Sequence, residues 1–408
     1  MDIVLGNTRI DQLGSIDFRQ KLGRRPHMNM SITPLVWATA LLAILSQPHL
    51  LSAEEPIDRA RAKALYDKSQ TGSQLTAEEQ KYLDRARAEM RAATEKERPN
   101  NPPRTAPANG ETSKEQPSTG LKPLTEMTAE ERYKGEDGGL YGSGKNEPPP
   151  SHQAAATEAL KKVTPLDSTG KPAADGKIVF ISLGMSNTWG EFRNFKELAD
   201  GDPAKSPAVQ IVNCAIGGAG VSSWGKPRSG TWQQVDGRLQ EAGVTREQVQ
   251  VAWIKHAEPG PMPDATELQY AHQVSKDIAA SLEITRTTFP NLRVAWLSSR
   301  IYGGYNVGGL RRVNPEPFAY ETAFAVRWLI EDQINGEKSG RIPSPVLLWG
   351  PYLWADGINP RKSDGLAWER KDLSNDGVHP SPAGGAKVAN LLLNFFKTDR
   401  NAKTWFSK

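Results

Sequence analysis

Three residue types that could form a nucleophilic relay stand at the ends of predicted elements. In the run Asp376-Gly-Val-His379, a carboxylate lies three residues before a histidine, just ahead of the last predicted helix. Ser186 lies where a predicted strand turns into a helix. A serine becomes a nucleophile when a base removes its proton and an acid orients that base. The pattern predicts Ser186 as nucleophile, His379 as base and Asp376 as orienting acid.

Ser186 also has a purely structural explanation, which its position alone leaves open. A serine at the start of a helix is often no more than an N-cap. The helix amides and dipole at that turn would nevertheless stabilise negative charge that develops beside the hydroxyl. The turn Gly184-Met-Ser-Asn-Thr188 is not the Gly-x-Ser-x-Gly elbow, because its fifth residue is threonine.

Glycines follow the second predicted strand, in Gly217-Gly218-Ala-Gly220. They would let the backbone approach a ligand, and a free amide there could serve as an oxyanion donor, although a plain loop explains them equally well. Cys214 lies inside the apolar strand and is predicted to fill the core rather than to react. As the single cysteine, it excludes an internal disulfide and a multi-cysteine metal site.

Five short apolar runs alternate with helical patterns and would position these residues. The strand candidates are 177–183, 209–216, 249–255, 292–298 and 346–349, and the helical patterns cover about 188–200, 230–241, 264–288, 317–335 and 383–397. Continuous apolar runs are typical of strands buried on both faces of a parallel sheet. The alternation predicts an α/β domain, a three-layer α/β/α sandwich whose ligands bind at the carboxyl ends of the strands.

These blocks together resemble the SGNH (GDSL-like) hydrolase superfamily over residues 174–400. The first block of the superfamily's pattern corresponds to Gly184-Met-Ser-Asn-Thr188 in this chain. It is similar to the Gly-Gln-Ser-Asn form of carbohydrate acetylesterases, including the sialate O-acetylesterase-like group. The resemblance implies a flavodoxin-like sheet and Ser-His-Asp ester hydrolysis without metal or cofactor. It assigns the nucleophile to Ser186, the base and acid to His379 and Asp376, and oxyanion donors to the amides of Ser186 and Gly218.

One block departs from the pattern of this superfamily. After the third strand the resemblance requires an asparagine that completes the oxyanion hole, but this chain reads Lys255-His256-Ala-Glu258 there. We expect Lys255 or His256 to stand in as the donor, since a suitably aimed cation would stabilise an oxyanion. A solvated lysine and a packed histidine are the structural alternatives.

Further residues follow the fourth and fifth strands and should face the substrate rim. Arg300 and Tyr302 are predicted to bind substrate, and residues 303–317 to form a wall of the pocket. Three more residues are placed there by topology, namely Trp354, Asp356 and Arg361. Aromatic rings at a rim could stack on sugars, although tryptophans are more often packing residues.

The N-terminal region predicts an export signal. Residues 35–45 form an apolar run of eleven, too short for a membrane span, preceded by basic residues and followed by a cleavage motif near Ala53. We therefore expect residues 1–53, a signal peptide with a spurious upstream start if translation begins at Met28 or Met30, to be absent from the mature protein. The protein is then expected to be secreted or periplasmic. A buried core helix is the alternative for this run.

Between this signal and the main domain the sequence predicts a tether. Residues 54–96 read as a helical hairpin, whose second helix opens with the capping box Thr76-Ala-Glu-Glu79 and is charged nearly all round. A solvated hairpin and a surface for an unknown partner both remain open. Residues 97–127 are a proline-rich linker, and residues 128–400 form the hydrolase domain.

Residues 137–144 are rich in glycine but lack the flanking strand and lysine of a phosphate loop. They predict an ordered turn that packs on the main domain, with a contribution to the substrate rim as the alternative.

Composition narrows the function classes. The 408 residues carry a net charge of +4 without any basic block, which argues against nucleic-acid binding, and 37% are hydrophobic. The sequence predicts an exported serine esterase that removes short acyl groups, chiefly acetyl, from a carbohydrate, with no cofactor, nucleic-acid partner or stable membrane span. The alternatives are a non-catalytic carbohydrate-binding or scaffold protein with an SGNH-like fold, and a lipase or acyl thioesterase.

Overall fold

A computed structural model describes residues 57–58, 60–62, 64–65, 76–96, 115–258, 268–306, 313–338 and 345–408. The chain divides into two compact units, residues 1–104 and 105–408. The predicted signal segment, residues 1–53, lies outside the described residues. Within the described part of the chain, no helix combines the length and the apolar character needed to cross a bilayer.

The second unit is built on a five-stranded sheet in which all strands are parallel. The strands are β1 (Ile178–Gly184), β2 (Val209–Asn213), β3 (Val249–Lys255), β4 (Val294–Leu297) and β5 (Val346–Trp349). Their order is β2-β1-β3-β4-β5, and every residue of β1, β3, β4 and β5 is buried. Burial on both faces explains the continuous apolar runs. The predicted α/β class with a five-stranded parallel sheet in a flavodoxin-like sandwich is confirmed.

Helices cover both faces of this sheet. In the second unit these helices are α2 (Pro150–Leu160), α3 (Ser186–Asp200), α4 (Val221–Trp224), α5 (Gly230–Glu241), α6 (Gln269–Thr288), α7 (Phe318–Lys338), α8 (Pro382–Thr398) and α9 (Lys403–Phe406), whereas α1 (Ala77–Lys96) belongs to the first unit. α3 packs against α8, whereas α6 packs against α7 and α4. The aromatic core centres on Phe180 of β1, whose ring contacts Phe192, Phe195, Phe396 and Trp405 at centroid distances of 4.7–5.9 Å.

The sequence did not predict α2, because its alanine-rich run PSHQAAATEAL has little amphipathic contrast. The helix begins on Pro150, which suits the first helical position because its missing N–H needs no partner there. His152 is its most deeply buried polar residue. Its Nδ1 lies 2.6 Å from Glu337 Oε1, and its Nε2 lies 2.7 Å from the Leu347 carbonyl, so α2 is held against α7 and β5.

The predicted linker, residues 97–127, is wrong at its C-terminal end. Residues 115–127 pack on the α/β domain, and Leu124 is fully buried. The Asp356 carboxylate accepts hydrogen bonds from the Ser118 hydroxyl, the Thr119 amide and hydroxyl, and the Gly120 amide, at 2.6–3.0 Å. The proline-rich composition conceals this attachment, since the acceptor lies more than 230 residues away. Residues 97–114 lie outside the described residues.

The glycine-rich stretch 137–144 forms a turn that packs on α7 and β5. The Leu140 carbonyl accepts a 2.6 Å hydrogen bond from the Trp349 indole, and the Asp137 carbonyl accepts one of 2.7 Å from Arg327. Gly139 has a φ of +88°, and a side chain there would meet the backbone of Lys145 at 2.3 Å. The glycine is therefore required by a close backbone approach.

In the first unit, residues 60–62 and 64–65 are helical, and α1 follows. The Thr76 amide donates to Glu79 Oε2 at 2.8 Å and the Glu79 amide donates to Thr76 Oγ1 at 3.2 Å, which is the capping box that the sequence predicts. Ala62 and Leu65 share a small apolar cluster with three residues of α1, namely Tyr82, Leu83 and Ala86.

Replacing Asp356 by asparagine should detach residues 115–120 and lower the free energy of unfolding by about 2–3 kcal/mol, because an amide cannot accept all of these hydrogen bonds. Burial alone would raise the pKa of Asp356, but hydrogen bonds from Ser118, Thr119 and Asn359 lower it below its ordinary value. Denaturant titrations should therefore show a difference between wild type and variant above pH 4 that shrinks as the pH falls further.

The exposed, unpaired Asp175 provides the matched control, since Asp175→Asn should unfold like wild type. Limited proteolysis should cut near residues 115–120 only in the Asp356→Asn protein. Equal stability of the two variants at pH 7 would show that Asp356 does not hold this segment.

Candidate active site

Ser186, His379 and Asp376 meet at the carboxyl edge of the sheet. The Ser186 hydroxyl lies 2.7 Å from His379 Nε2, and His379 Nδ1 lies 2.6 Å from Asp376 Oδ2. An ionised carboxylate can only accept, so Nδ1 carries the proton and Nε2 is left to accept the hydrogen bond from the serine. The structure thus brings together the three residues proposed for the relay, in the order nucleophile, base and orienting acid.

The Asp376 carboxylate is held in its charged form. Burial tends to raise its pKa, but the His379 side chain and the backbone amides of His379 and Val378 outweigh burial and lower the pKa well below its ordinary range. The two amides donate to Oδ1 at 3.0 and 2.9 Å, which leaves Oδ2 for the imidazole. The side chains of His379 and Asp376 are 43% and 49% exposed, so the relay is open to solvent.

A tight turn after β1 orients Ser186 toward His379. Gly184 has a φ of +155°, and a side chain there would lie 2.4 Å from both the Lys255 carbonyl and the Thr188 hydroxyl. Ser186 then opens α3, where the first amides of the helix have no partner within the helix. The Thr188 hydroxyl donates to the Lys255 carbonyl at 2.7 Å and ties this turn to β3.

Asn187 connects the turn at Ser186 to the loop that carries His379. Its side-chain amide is buried and donates to the Val378 carbonyl at 2.9 Å, one residue before His379. Gly377 of the same loop has a φ of +65°, and a side chain there would meet the Tyr305 carbonyl at 1.9 Å. The loop is therefore packed between α3 and the segment that follows β4.

Arg370 supports the same loop and was not singled out from the sequence. Its guanidinium donates to the carbonyls of Leu373, Ser374 and Asn375 at 3.1, 2.8 and 3.1 Å, and its Nε donates to Glu115 Oε1 at 2.6 Å. These three carbonyls immediately precede Asp376. The acceptors are backbone atoms and Glu115 is distant in the sequence, so the sequence pattern does not reveal these hydrogen bonds. The only signal for a role of Arg370 is that it lies six residues before Asp376.

The amides of Ser186 and Gly218 are the two that the resemblance assigns to the oxyanion hole. The Ile216 amide donates to the Gly184 carbonyl at 2.9 Å, which joins the glycine loop after β2 to the nucleophile turn. Gly218 in that loop is exposed and has a φ of +78°. Among the described residues, no acceptor takes a hydrogen bond from the amides of Ser186 or Gly218. Both can donate to a substrate oxygen.

Lys255 does not occupy the position of a third oxyanion donor. Its side chain is fully buried, and its Nζ lies 2.6 and 2.5 Å from the two oxygens of Glu191, which is equally buried on α3. Burial lowers the pKa of Lys255 to about 8, although Glu191 acts in the opposite direction. The expectation that Lys255 stands in for the missing asparagine is corrected: the ammonium is engaged inside the core.

His256 is also buried and packed against other side chains. Its Nε2 lies 3.0 Å from the Ser281 hydroxyl on α6, and its ring packs against Trp224 at a centroid distance of 5.3 Å. Burial lowers the pKa of His256 to about 3, so the imidazole is neutral and cannot act as a cationic donor. The packed-histidine alternative describes this residue, and the expectation that it acts as a cationic donor is corrected.

Most of the residues expected at the substrate rim are packing residues. Tyr302 is buried, and its hydroxyl donates to the Gln116 carbonyl at 2.7 Å, so the segment around Gln116 covers it. Trp354 is buried and donates to Glu316 at 2.8 Å, while Arg361 donates to the carbonyls of Tyr352 and Trp354. The expectation that Tyr302 binds substrate is therefore corrected.

Arg300 differs from these residues because its guanidinium has no partner among the residues that the structure describes. Its backbone amide donates to Thr322 at 3.1 Å, but its buried Nε has no acceptor.

Cys214 is fully buried, and burial raises the pKa of its thiol to about 12, as expected of a core residue. Within the described ranges, histidine, cysteine and carboxylate side chains nowhere gather in threes as ligands for a metal ion.

The chain matches no family profile and no curated protein. Among solved structures, a protein of Arabidopsis thaliana aligns with 50% of this chain and 65% of its own length, at 12% identity and a TM-score of 0.28. The periplasmic domain of a lipopolysaccharide acetyltransferase from Salmonella ser. Paratyphi A aligns with 60% of this chain and 96% of its own, at 13% identity and a TM-score of 0.30. A gut microbial diltiazem-metabolizing enzyme aligns with 53% of this chain and 46% of its own, at 15% identity and a TM-score of 0.31.

Breaking the Lys255–Glu191 pair from one side should be more damaging than removing both charges. Lys255→Met and Glu191→Leu should each lower the free energy of unfolding by about 3–5 kcal/mol, since each leaves a buried charge unpaired. The double variant should be more stable than either single one, as measured by denaturant unfolding. A stable Lys255→Met protein whose Ser186 reacts slowly with a fluorophosphonate would instead return Lys255 to the oxyanion hole.

Arg370→Gln should slow the reaction of Ser186 with a fluorophosphonate by about tenfold, because the loop before Asp376 loses three hydrogen bonds and the relay loses alignment. Arg370→Lys should recover part of the rate, since one ammonium can still reach a carbonyl. The control is Arg286→Gln, which removes an exposed arginine paired only with Glu283 on α6. Equal labelling rates in the two glutamine variants would remove Arg370 from the positioning of the site.

Proposed function

We propose that this protein is a serine esterase of the SGNH type, exported from the cell, that removes short acyl groups from a carbohydrate. The observation that carries the proposal is the continuous relay from Ser186 through His379 to Asp376, with contacts of 2.7 and 2.6 Å. The blocks that resemble the superfamily and the apolar N-terminal run support the esterase type and the export.

The reaction would proceed in two steps. Ser186 Oγ attacks the acyl carbonyl carbon while its proton passes to His379 Nε2, and the amides of Ser186 and Gly218 hold the oxyanion. His379 then gives that proton to the departing alcohol oxygen, which leaves an acyl-serine. Water attacks the acyl-serine, His379 accepts its proton, and the acid is released as that proton returns to Ser186.

The donors of the oxyanion hole set the expected efficiency. With Lys255 and His256 engaged elsewhere, two backbone amides would carry the oxyanion, and loss of one donor typically costs about 10²–10³ in rate. We therefore propose a slow enzyme. The replacement of the superfamily's asparagine after β3 by Lys255 and His256 also favours the second candidate function, a carbohydrate-binding protein of this fold with little activity.

The openness of the relay favours small acyl groups. The side chains of His379 and Asp376 are nearly half exposed, whereas a lipase would enclose a long chain in an apolar channel. A short acyl group, chiefly acetyl, needs no such channel. Rates that rise with acyl chain length would contradict this part of the proposal.

Ser186→Ala should abolish both the hydrolysis of p-nitrophenyl acetate and covalent labelling by a fluorophosphonate. Ser168→Ala, at an exposed serine outside the site, should retain both.

Asp376→Asn should lower kcat by about 10⁴, because the amide stabilises the wrong tautomer of the imidazole. Because the pKa of Asp376 lies well below its ordinary range, protonation of Asp376 should not contribute to a decline of the rate in mild acid.

An unlabelled wild-type Ser186 would favour the binding protein over the enzyme. Equal hydrolysis by wild type and Ser186→Ala would remove the nucleophile assignment altogether.

A further inference from the structure

Arg300 is a buried cation whose donors are unused. The residue is only 5% exposed, and among the described residues no oxygen accepts a hydrogen bond from its guanidinium. Guanidinium groups do not lose their proton in proteins, so Arg300 carries its charge into this environment. Buried charges are ordinarily paired, because an unpaired one costs several kcal/mol. A ligand that supplies the missing partner would account for the arrangement.

The acidic and phenolic groups around Arg300 are already engaged. Glu191 holds Lys255 with both oxygens. Glu316 accepts hydrogen bonds from the Gly303 and Tyr320 amides and from Trp354. The Tyr270 hydroxyl donates to the Glu258 carbonyl and to Asn314. None of these groups lies within ion-pair distance of Arg300, although they act on it through space.

The register of the sheet brings the chain at Arg300 and the chain at Ser186 to the same edge of the sheet. Gly184 of β1 pairs with Lys255 of β3, and Ile254 pairs with Leu297 of β4, so Gly184, Lys255 and Ser298 stand at one level. Ser186 and Arg300 each follow that level by two residues in the sequence, Ser186 as the first residue of α3 and Arg300 in the segment after β4. Their strands are two positions apart in the sheet, which corresponds to about 10 Å at the ordinary strand spacing.

We propose that Arg300 binds a carboxylate of the substrate, so that the preferred ester is an O-acylated acidic sugar. This inference rests on the proposed esterase function and names its substrate class. A guanidinium offers two parallel N–H donors that match a carboxylate. Because Lys255 is neutralised by Glu191, Arg300 contributes one unmatched positive charge, which suits a monoanionic carboxylate better than a dianionic phosphate.

The kinetic test compares O-acetylated galacturonic acid with its methyl ester, which differs only in the masked carboxylate. Wild type should favour the free acid by about tenfold or more in kcat/KM, the range expected for a hydrogen bond to a charged group. Arg300→Gln should bring this ratio close to one, mainly by raising KM for the free acid, and Arg300→Lys should keep part of the preference. Equal rates on both esters by wild type, or a preference that survives in Arg300→Gln, would overturn the proposal.

A binding measurement separates this proposal from the esterase function. Galacturonate, its methyl ester and inorganic phosphate would be titrated into Ser186→Ala and into Ser186→Ala with Arg300→Gln, followed by NMR. Galacturonate should bind only when Arg300 is present, and the methyl ester should bind at least tenfold more weakly, whether or not the wild type hydrolyses esters. Tighter binding of phosphate, or no binding of galacturonate, would contradict the carboxylate assignment.

Thermal unfolding of the variants tests whether Arg300 has a structural role instead. A glutamine in place of an unpaired buried charge should leave Tm unchanged or raise it, as is common when a functional site is neutralised. A Tm lowered by several degrees would show that Arg300 stabilises the fold, and would overturn the ligand assignment.

Discussion

The geometry of the site depends on the buried ion pair between Lys255 and Glu191. It joins the end of β3 to α3, with both side chains withdrawn from solvent and two contacts of 2.5–2.6 Å. Desolvation makes these charges costly unless they meet, so α3 has one favourable position over the sheet. Ser186, in the first turn of α3, takes its own position from that constraint.

His379, which contacts the Ser186 hydroxyl, lies 193 residues after it in the sequence. Its loop is fixed on three sides, by Asn187 of α3, by Arg370 and by the backbone after β4 that Gly377 contacts. α8, which follows this loop, packs along α3. The relay is therefore assembled by the fold itself and requires no substrate to bring its members together, which is the preorganisation that catalysis by fixed dipoles needs.

The sequence predicts those features that depend on local patterns. The strands of the sheet are read from apolar runs, and the turn at Ser186 and the loop from Asp376 to His379 are each contained in a few residues. The partners of Lys255 and Asp356 could not be predicted in this way, because Glu191 lies 64 residues away and Ser118 lies 238 residues away. For the same reason a proline-rich composition indicated a linker where residues 115–127 are attached to the domain.

Lys255 and Arg300 show how one sheet edge uses two buried cations differently. The charge of Lys255 is neutralised by Glu191 and serves to position α3, whereas no carboxylate in the described part of the chain lies within ion-pair distance of Arg300. Burial also raises the pKa of Glu316 to about 7, which reduces the negative charge near Arg300 at neutral pH. A fold that required only stability would favour an apolar residue at position 300. The unmatched charge instead leaves a positive potential at this edge of the sheet, and such a potential attracts anionic ligands.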